Sequence, residues 1–518
     1  MATVVGASGA RDGGGGGGEG ELIKPFTPEK AKEIIMSLQQ PAVFCNMVFD
    51  WPAQHWNVTY LSKLLCGKQI RFRMGMKKTD TVPQFETMCS YVDATLEEFL
   101  AWSCDRGVNH AGPFTHYDNS KFWAYADYKY LASVFEDNTD VLQNVVWSDF
   151  GFPGRNGRES TLWIGSLGAN TPCHLDCYGC NLVFQVQGRS SPLVLPSSIG
   201  PHLFIGVTYL GPHHYWKRWH LFPPQDTAFL YPTRIPYEES SVFSKVNVVN
   251  PDLKHFPQFL KAQRHMVTLY PGQVLFVPRH WWHYVESIDP ITVSINSWIE
   301  LEEDHQARVE EAITRMIVCA LKGAEDPTDT KAWLNPTEVE GTSHEINCQY
   351  LNGAISAYLE HSKVAETLTP TEFKINGKHR VKSPLKKRKL DVCTRSKEKK
   401  SPNCTLATVT AKPEEKIPFG LDLIPVSPSL QDESSERGID ESDIKDVVKE
   451  SGGREGNLNC AREQLVMNQA EMPLADNVVS DSTTCPSQPF ISTDDLLDCL
   501  VDPKVIHLVA QLLLQKRT

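Results

Sequence analysis

The sequence Thr171-Pro-Cys-His-Leu-Asp176 restricts the architecture of this chain more than any other stretch. It lies between two apolar segments that are typical of β-strands, 160–168 and 181–187. If the stretch is also extended, His174 and Asp176 project from the same face of a strand, because side chains two residues apart share a face. One more histidine from elsewhere in the fold would complete a set of three metal ligands. Two histidines and one carboxylate with open positions opposite are typical of non-haem Fe(II) oxygenases.

A candidate third ligand lies downstream, between two predicted strands. Segment 270–278 reads as a turn followed by an apolar strand, and 291–298 alternates as another strand. The sequence between them contains His280 and His283. His283 is the preferred ligand, and His280 competes with it. A histidine and an aspartate two residues apart are common by chance, so the metal prediction depends on both regions together.

These residues occur with further motifs that together resemble a JmjC domain. The motifs are Leu221-Phe-Pro-Pro224, Pro271-Gly272, Trp281-Trp282-His283 and Asn296-Ser-Trp298. The resemblance is strongest to the small JmjC-only hydroxylases, such as the asparaginyl hydroxylase that inhibits hypoxia-inducible factor. It implies a mainly β fold, a double-stranded β-helix with flanking helices. It also implies an enzyme that binds Fe(II) and takes 2-oxoglutarate as its co-substrate.

The resemblance also implies roles for individual side chains. Three are expected to be catalytic and to bind Fe(II): His174, Asp176 and His283. Three are expected to contact 2-oxoglutarate: Thr171, Lys217 and Asn296. Lys217 would pair with the distal carboxylate of 2-oxoglutarate, which is a charge-assisted contact in a partly dry pocket.

The whole chain also resembles a vertebrate family whose members associate with small heat-shock proteins. This resemblance covers residues 21–340 and returns over 490–518. It implies small heat-shock proteins of the α-crystallin class as partners, and a role in the cellular stress response. Two functions therefore compete: a protein hydroxylase, and a non-enzymatic adaptor on a JmjC scaffold. Histone demethylation is less favoured, because no PHD, Tudor or other chromatin-reading cysteine pattern is visible.

Composition places most of the ordered mass in the first two-thirds of the chain, since none of the twelve tryptophans follows Trp333. The net charge of −12 argues against general nucleic-acid affinity, which needs clustered lysine and arginine. No signal segment and no apolar run of membrane-spanning length is visible. We expect a cytoplasmic protein without a membrane partner. The basic run Lys382–Lys389, which includes Lys386-Lys-Arg-Lys389, resembles a nuclear-localisation signal and suggests nuclear entry.

Changes in composition along the chain predict five regions. A region without core-forming residues, or rich in Ser, Thr, Pro, Lys and Glu, buries too little apolar area to order itself. The predicted regions are a disordered Gly-rich tail (1–20), a JmjC-type domain (21–300), a helical extension (301–362), a disordered linker (363–489) and an amphipathic helical segment (490–518).

Further predictions concern a segment within the expected catalytic domain and segments that follow it. Residues 190–216 read as an insertion, because loops of this length are uncommon in compact domains. We expect the insertion to loop out and Lys217 still to face the metal. An apolar stripe within Glu302–Lys322 is expected either to pack on the barrel or to form the interface of a homodimer.

Near the C-terminus, Thr493 and Asp502-Pro503 are expected to begin exposed amphipathic helices suited to partner docking.

Two rival interpretations of nearby residues are weaker. Cys177-x-x-Cys180 suggests zinc, but structural zinc sites usually need two such pairs, and no second one exists. The aromatic segment 122–130 contains tyrosines that would suit a co-substrate pocket. Core packing is the favoured interpretation for them.

Overall fold

The fold is known from a computed structural model, which describes residues 23–78, 80–104, 112–187, 217–325, 330–336, 341–368, 417–429 and 491–517. Segments of alternating or continuously apolar sequence form its strands. The strands are β1 (Ala42–Phe44), β2 (Ile70–Met76), β3 (Ser90–Ala94), β4 (Phe122–Tyr130), β5 (Thr161–Ser166), β6 (Asn170–Asp176), β7 (Cys180–Gln187), β8 (Lys217–Phe222), β9 (Pro232–Glu238), β10 (Ser241–Ser244), β11 (His265–Leu269), β12 (Val274–Val277), β13 (Trp282–Ser287), β14 (Ile291–Ile299) and β15 (Leu423–Pro425).

Helices lie before, between and after these strands. They are α1 (Pro28–Ser37), α2 (Val58–Leu64), α3 (Leu96–Cys104), α4 (Leu131–Val134), α5 (Asp304–Glu325), α6 (His344–Leu368), α7 (Thr493–Leu500) and α8 (Pro503–Gln515). The start of α1 shows why local sequence predicts such elements. The Thr27 hydroxyl accepts a hydrogen bond from the Lys30 N–H, and Pro28 occupies the first helical position.

Two antiparallel sheets form the body of the protein. One has nine strands in the order β15-β1-β12-β7-β14-β5-β4-β2-β3, and the other has six in the order β11-β8-β13-β6-β10-β9. Apolar side chains from both fill the space between them, such as Val43 and Val183 from the first and Trp219 and Leu221 from the second. The predicted mainly β fold with flanking helices, of the double-stranded β-helix type, is confirmed.

The apolar stripe of α5 is covered by helices of the same chain. Val309 and Ile313 pack with Ile355 of α6 and with Ile506 and Ala510 of α8. The stripe therefore needs no second copy of the chain to cover it. The helices predicted at the C-terminus are present, but two expectations about them are wrong. Their inner face is buried on α5 rather than fully exposed, and the N-cap of α7 is Ser492, not Thr493.

A buried ion pair joins α5 to the six-stranded sheet. The guanidinium of Arg234 donates to the Glu311 carboxylate, which also accepts from the Tyr237 hydroxyl at 3.0 Å. All three side chains are buried. Burial alone would lower the pKa of Arg234, but the adjacent Glu311 carboxylate raises it above its usual range. Arg234 therefore stays charged and depends on Glu311.

Replacing Glu311 by alanine is expected to destabilise the protein by about 3–5 kcal/mol, because it leaves the Arg234 charge buried and unpaired. The neighbouring Glu310 is a matched control, since it pairs with the half-exposed His507 on α8. Glu310→Ala should cost no more than about 1 kcal/mol. Urea unfolding of both variants measures the difference, and equal losses would show that the buried pair has no special role.

The region between α6 and α7 contains an element that was not foreseen. Residues 417–429, named the strap here, include β15, which pairs with β1. The prediction of a disordered linker over 363–489 is therefore wrong for these residues. Helix α6 also continues to Leu368, beyond the expected end of the helical extension.

Several predictions fall on residues outside the described ranges. They are the Gly-rich tail (1–20), the insertion (190–216) and the basic run (382–389). Within the part of the chain that the structure covers, no helix has the length and apolar character needed to cross a membrane.

Candidate metal centre

Two neighbouring strands bring the three predicted metal ligands together. β6 carries His174 and Asp176, and its antiparallel pairing with β13 sets His283 directly opposite His174. The two imidazole centroids are 4.2 Å apart, and His174 Nε2 is 3.8 Å from Asp176 Oδ1. One donor atom from each residue lies within 4.8 Å of the other two. In the described ranges, no other group of histidine, cysteine or acidic side chains converges in this way.

Backbone carbonyls orient both imidazoles. Nδ1 of His174 lies 2.9 Å from the Pro172 carbonyl oxygen, and Nδ1 of His283 lies 3.0 Å from that of Trp281. Because a carbonyl only accepts, each Nδ1 carries the proton, and each Nε2 keeps its lone pair. Burial and the neighbouring His283 lower the pKa of His174 to about 4. His174 is therefore neutral at pH 7, which is the form that binds a metal.

The carboxylate of Asp176 is held by an indole. Trp298 Nε1 donates to Asp176 Oδ2 at 3.2 Å, while Oδ1 is the oxygen near His174. Hydrogen bonds of this kind fix the direction of a metal ligand and tune its affinity. Trp298 is thus a positioning residue that the motif contained but to which the sequence assigned no role.

Replacing Trp298 by phenylalanine is expected to weaken metal binding by about tenfold or more, because the carboxylate loses its orienting donor. Trp163→Phe is the matched control, since its indole N–H bonds Asn296 rather than a ligand. Titration of both variants with Fe(II) under anaerobic conditions checks this. Equal affinities would mean that Trp298 only fills space.

Lys217 enters the same cavity as the triad from the first position of β8. Lys217 as a whole is only 3% exposed. The ammonium donates to the Tyr125 hydroxyl at 3.1 Å and to Ser294 Oγ at 2.9 Å. Burial lowers the pKa of Lys217 to about 7, and among the described residues no carboxylate forms an ion pair with it. A buried cation without an anion is unfavourable, so the site suits a ligand that brings a carboxylate.

The remaining predicted residues line the same cavity, whose volume is about 620 Å³. Thr171 lies on β6 and is buried. Asn296 on β14 accepts from Trp163 Nε1 at 2.8 Å and donates to Asn181 at 2.9 Å. All six predicted residues therefore line one cavity, although the Asn296 amide already forms two hydrogen bonds within the protein.

Neither His280 nor the Cys177–Cys180 pair converges with other metal-binding side chains as the triad does. His280 lies in the turn before β13 with φ of +65°, and its Nε2 is 3.0 Å from the Cys177 carbonyl oxygen, away from the triad. The Cys177 thiol accepts from Arg234 at 3.3 Å. Cys177 and Cys180 do not meet a third ligand within the described residues.

An aromatic wall lies beside the triad. Tyr125 and Tyr128 of β4 line the cavity with Trp163, and the Tyr128 and Trp163 rings are 4.7 Å apart. Core packing, the favoured interpretation, holds for Tyr125, which is buried in a cluster with Trp123, but Tyr125 and Tyr128 also line the cavity, as the alternative interpretation expected. An irregular register between β4 and β5, at 126–129, coincides with φ of +51° at Tyr128. Such bulges redirect side chains, and alternation in the sequence does not predict them.

Comparisons with known proteins identify the family of this chain. A sequence profile described as a cupin-like domain matches residues 28–215 and 216–305. HSPB1-associated protein 1 of Homo sapiens is 63% identical over 98% of this chain and 97% of its own length. HSPB1-associated protein 1 of Bos taurus is 61% identical over 100% of both chains. Lysine-specific demethylase 8 of Danio rerio is 24% identical over 52% of this chain and 55% of its own length. The chain therefore belongs to the cupin-like JmjC family that includes HSPB1-associated protein 1.

Proposed function

We propose that the chain is a Fe(II)- and 2-oxoglutarate-dependent dioxygenase that hydroxylates a protein substrate. One observation carries the proposal: two histidines and one carboxylate converge in a cavity that also contains a buried lysine without a carboxylate partner among the described residues. The first group fits Fe(II), and the lysine fits the far carboxylate of 2-oxoglutarate.

Each side chain has a defined task in this proposal. His174 and His283 would bind Fe(II) through Nε2, and Asp176 would bind it through Oδ1. Fe(II) and 2-oxoglutarate, when bound, supply the oxidising chemistry that activates oxygen for C–H hydroxylation. Lys217 would orient the co-substrate through its far carboxylate, and its contacts with Tyr125 and Ser294 fix the ammonium in place.

Turnover of 2-oxoglutarate by the purified full chain tests the enzyme proposal. We expect Fe(II)-dependent succinate formation by the natural chain and none by the Asp176→Ala variant. Asp118→Ala serves as the control, because that carboxylate is exposed and pairs with Lys121. Absence of turnover in the natural chain, with metal bound and candidate protein substrates supplied, would favour the adaptor function.

The second candidate function is association with a small heat-shock protein of the α-crystallin class. It rests on the name shared by relatives that match nearly the whole chain, HSPB1-associated protein 1. The outer face of α8 is the surface we favour for this contact. Leu508 and Leu512 are 56% and 50% exposed there, while the opposite face of the helix packs on α5.

Substitutions test this surface better than truncation, because removal of α8 would also expose the apolar stripe of α5 to water. The double variant Leu508→Asp, Leu512→Asp is expected to reduce capture of purified HSPB1 by about tenfold or more. Leu260→Asp is the control, since Leu260 is 65% exposed in the segment Pro257–Lys261. Unchanged capture by the double variant would place the contact elsewhere on the chain.

A further inference from the structure

We propose that the cavity of the candidate metal centre binds the cationic side chain of a lysine or arginine residue in its protein substrate. The inference rests on the proposed hydroxylase function and names its substrate class. The site is a closed circuit of side chains beside the metal position, named the collar here. Its members all line the cavity and are Tyr128, Trp163, Asp176, Glu238, Ser241 and Trp298.

Backbone register places an acidic side chain of the collar at a defined distance from the metal position. Ser241 of β10 pairs with Asp176 of β6 on one side and with Glu238 of β9 on the other. Residues paired in this way point to the same face of a sheet. Neighbouring strands lie about 4.8 Å apart, so the backbone of Glu238 is about 10 Å from that of Asp176. A side chain whose charged end contacts Glu238 would have its aliphatic carbons between Glu238 and the metal position.

Three aromatic rings complete the collar on its other side. Trp298 donates to Asp176 at 3.2 Å, and its ring centroid is 6.4 Å from that of Trp163. The Trp163 ring in turn lies 4.7 Å from that of Tyr128, whose hydroxyl donates to Glu238 at 3.1 Å. The faces of tryptophan and tyrosine rings attract cations within about 6 Å. A wall of three such rings that ends at a carboxylate fits a cationic side chain better than an acidic one.

The carboxylate of Glu238 is fixed in position before any substrate binds. Glu238 is 8% exposed, and its carboxylate also accepts from the Ser241 hydroxyl at 3.2 Å and from the Asn335 amide at 2.5 Å. A carboxylate held by several donors needs little reorganisation when it binds a cation, which favours affinity. Glu238 is therefore the residue of the collar that we expect to select the charge of the substrate.

A second acidic side chain of the cavity has an unused acceptor. Glu86 is 2% exposed and lines the same cavity, and its Oε2 forms no hydrogen bond within the described residues. Its Oε1 is 3.8 Å from Arg73, whose guanidinium lies closer to the Asp127 carboxylate, at 2.6 Å. Burial raises the pKa of Glu86 to about 7, so it is mostly ionised at pH 8. A buried acceptor without a donor is unfavourable, and the N–H groups of a substrate cation would satisfy it.

The Tyr128 phenol connects Glu86 with the collar. Desolvation raises the pKa of Tyr128 well above its usual range, and the charges of Glu238 and Glu86 raise it further. Both carboxylates therefore lie near the same hydroxyl. The backbone of Tyr128 has φ of +51°, which is costly for an aromatic residue, and such strain is typical of ligand-binding sites.

The lining of the cavity carries an excess of acidic groups. Apart from Asp176 and Lys217, which are assigned to the metal and the co-substrate, its described residues include six acidic and three basic side chains. The acidic ones are Glu86, Asp127, Glu238, Glu239, Glu300 and Asp304, and the basic ones are Arg71, Lys129 and Arg308. A cavity lined mainly by one sign of charge concentrates ligands of the opposite sign. A substrate cation is therefore favoured over an anion.

In the reaction that follows from this binding mode, one methylene C–H of the bound lysine or arginine becomes C–OH. One oxygen atom of O2 enters this product, and the other enters succinate, which forms from 2-oxoglutarate with loss of CO2. The collar would hold the charged end of the side chain, so that its methylene groups face the metal position.

Binding of four fluorescein-labelled peptides tests the proposal without turnover. They share the sequence Gly-Ser-Ala-Z-Ala-Ser-Gly, where Z is arginine, citrulline, lysine or norleucine. Citrulline and norleucine resemble arginine and lysine in size but carry no charge. Fluorescence anisotropy is measured at pH 8 under nitrogen, with the full chain, Mn(II) and 2-oxoglutarate. We expect at least one cationic peptide to bind about tenfold or more tightly than its neutral counterpart.

Glu238→Gln is the decisive variant, because it removes the charge and keeps the shape of the side chain. It should abolish the preference for the cationic peptide, while the affinity for the neutral counterpart stays the same. Glu239→Gln is the matched control, since it makes the same change in charge at the next residue, whose carboxylate pairs with Arg315 at 3.4 Å. The preference for the cationic peptide should survive in this variant.

Three results would overturn the proposal. The first is equal affinity of the natural chain for cationic and neutral peptides, or no measurable binding of either cationic peptide. The second is retention of the preference by Glu238→Gln. The third is an equal loss of preference in Glu238→Gln and Glu239→Gln, because the general charge of the cavity would then select the cation. Succinate formation without a cation preference contradicts the collar but not the hydroxylase function, whereas a preference without succinate formation supports the collar and contradicts hydroxylation.

Discussion

Replacing His283 by alanine is expected to abolish stoichiometric Fe(II) binding, with an affinity loss of more than about 100-fold. Removal of a residue that only hydrogen-bonds a metal ligand typically lowers metal affinity 10–100-fold. Removal of a ligand itself should lower the affinity further. His283 is one of only two nitrogen donors in the triad, and it faces His174 across the β6–β13 pair. Metal content after anaerobic loading and gel filtration measures the effect, and circular dichroism verifies the fold.

His280→Ala is the matched control for this experiment. Its imidazole lies three residues away in sequence but contacts the Cys177 carbonyl instead of the triad. We expect His280→Ala to bind one Fe(II) like the natural chain. Full iron retention by His283→Ala together with loss of iron by His280→Ala would reverse the assignment of the third ligand.

Replacing Lys217 by methionine is expected to reduce 2-oxoglutarate binding by more than about 100-fold, the size of loss typical when one partner of a buried charge pair is removed. Methionine keeps most of the length of the lysine side chain and removes its charge. Because the pKa of Lys217 in the free protein is about 7, most molecules at pH 8 carry a neutral amine at this position. A bound carboxylate raises that pKa, so binding at pH 8 takes up a proton and affinity falls as the pH rises above 7.

Isothermal titration calorimetry in two buffers of different ionisation enthalpy measures this proton uptake. We expect close to one proton for the natural chain at pH 8. Lys121→Met is the control, because Lys121 has a 72% exposed side chain that pairs with Asp118 at the surface. Unchanged affinity of Lys217→Met, or binding without proton uptake, would assign the co-substrate carboxylate to another group.

The residue types of the candidate metal site and the strand that carries His174 and Asp176 were predictable from the sequence, because both depend on local pattern. His174 and Asp176 are two residues apart on an extended segment, and this spacing alone places them on one face. The choice between His283 and His280 was different. It depends on where β13 begins and on which residue of β13 faces β6, and that register is set by contacts between distant parts of the chain.

The predictions for the β4 and C-terminal regions were incomplete for a related reason. Periodicity predicted α8 but not its neighbour, and the structure places Ile506 and Ala510 on α5. Core packing was the favoured interpretation for the tyrosines of 122–130, whereas Tyr125 is both buried and at the border of the cavity. Hydrophobic periodicity predicts which face of a helix or strand is buried, but it does not predict which residues cover that face.

The sequence by itself determined the fold class, several strands of the main domain and the chemical types of the candidate metal ligands. These follow from periods of two and 3.6 residues and from side-chain chemistry, which act within one element. Only the tertiary structure decided that Lys217 meets Tyr125 and Ser294, and that the strap closes the edge of β1. Those contacts join segments far apart in sequence, and their stability comes from backbone pairing and burial that exist only once the sheets have formed.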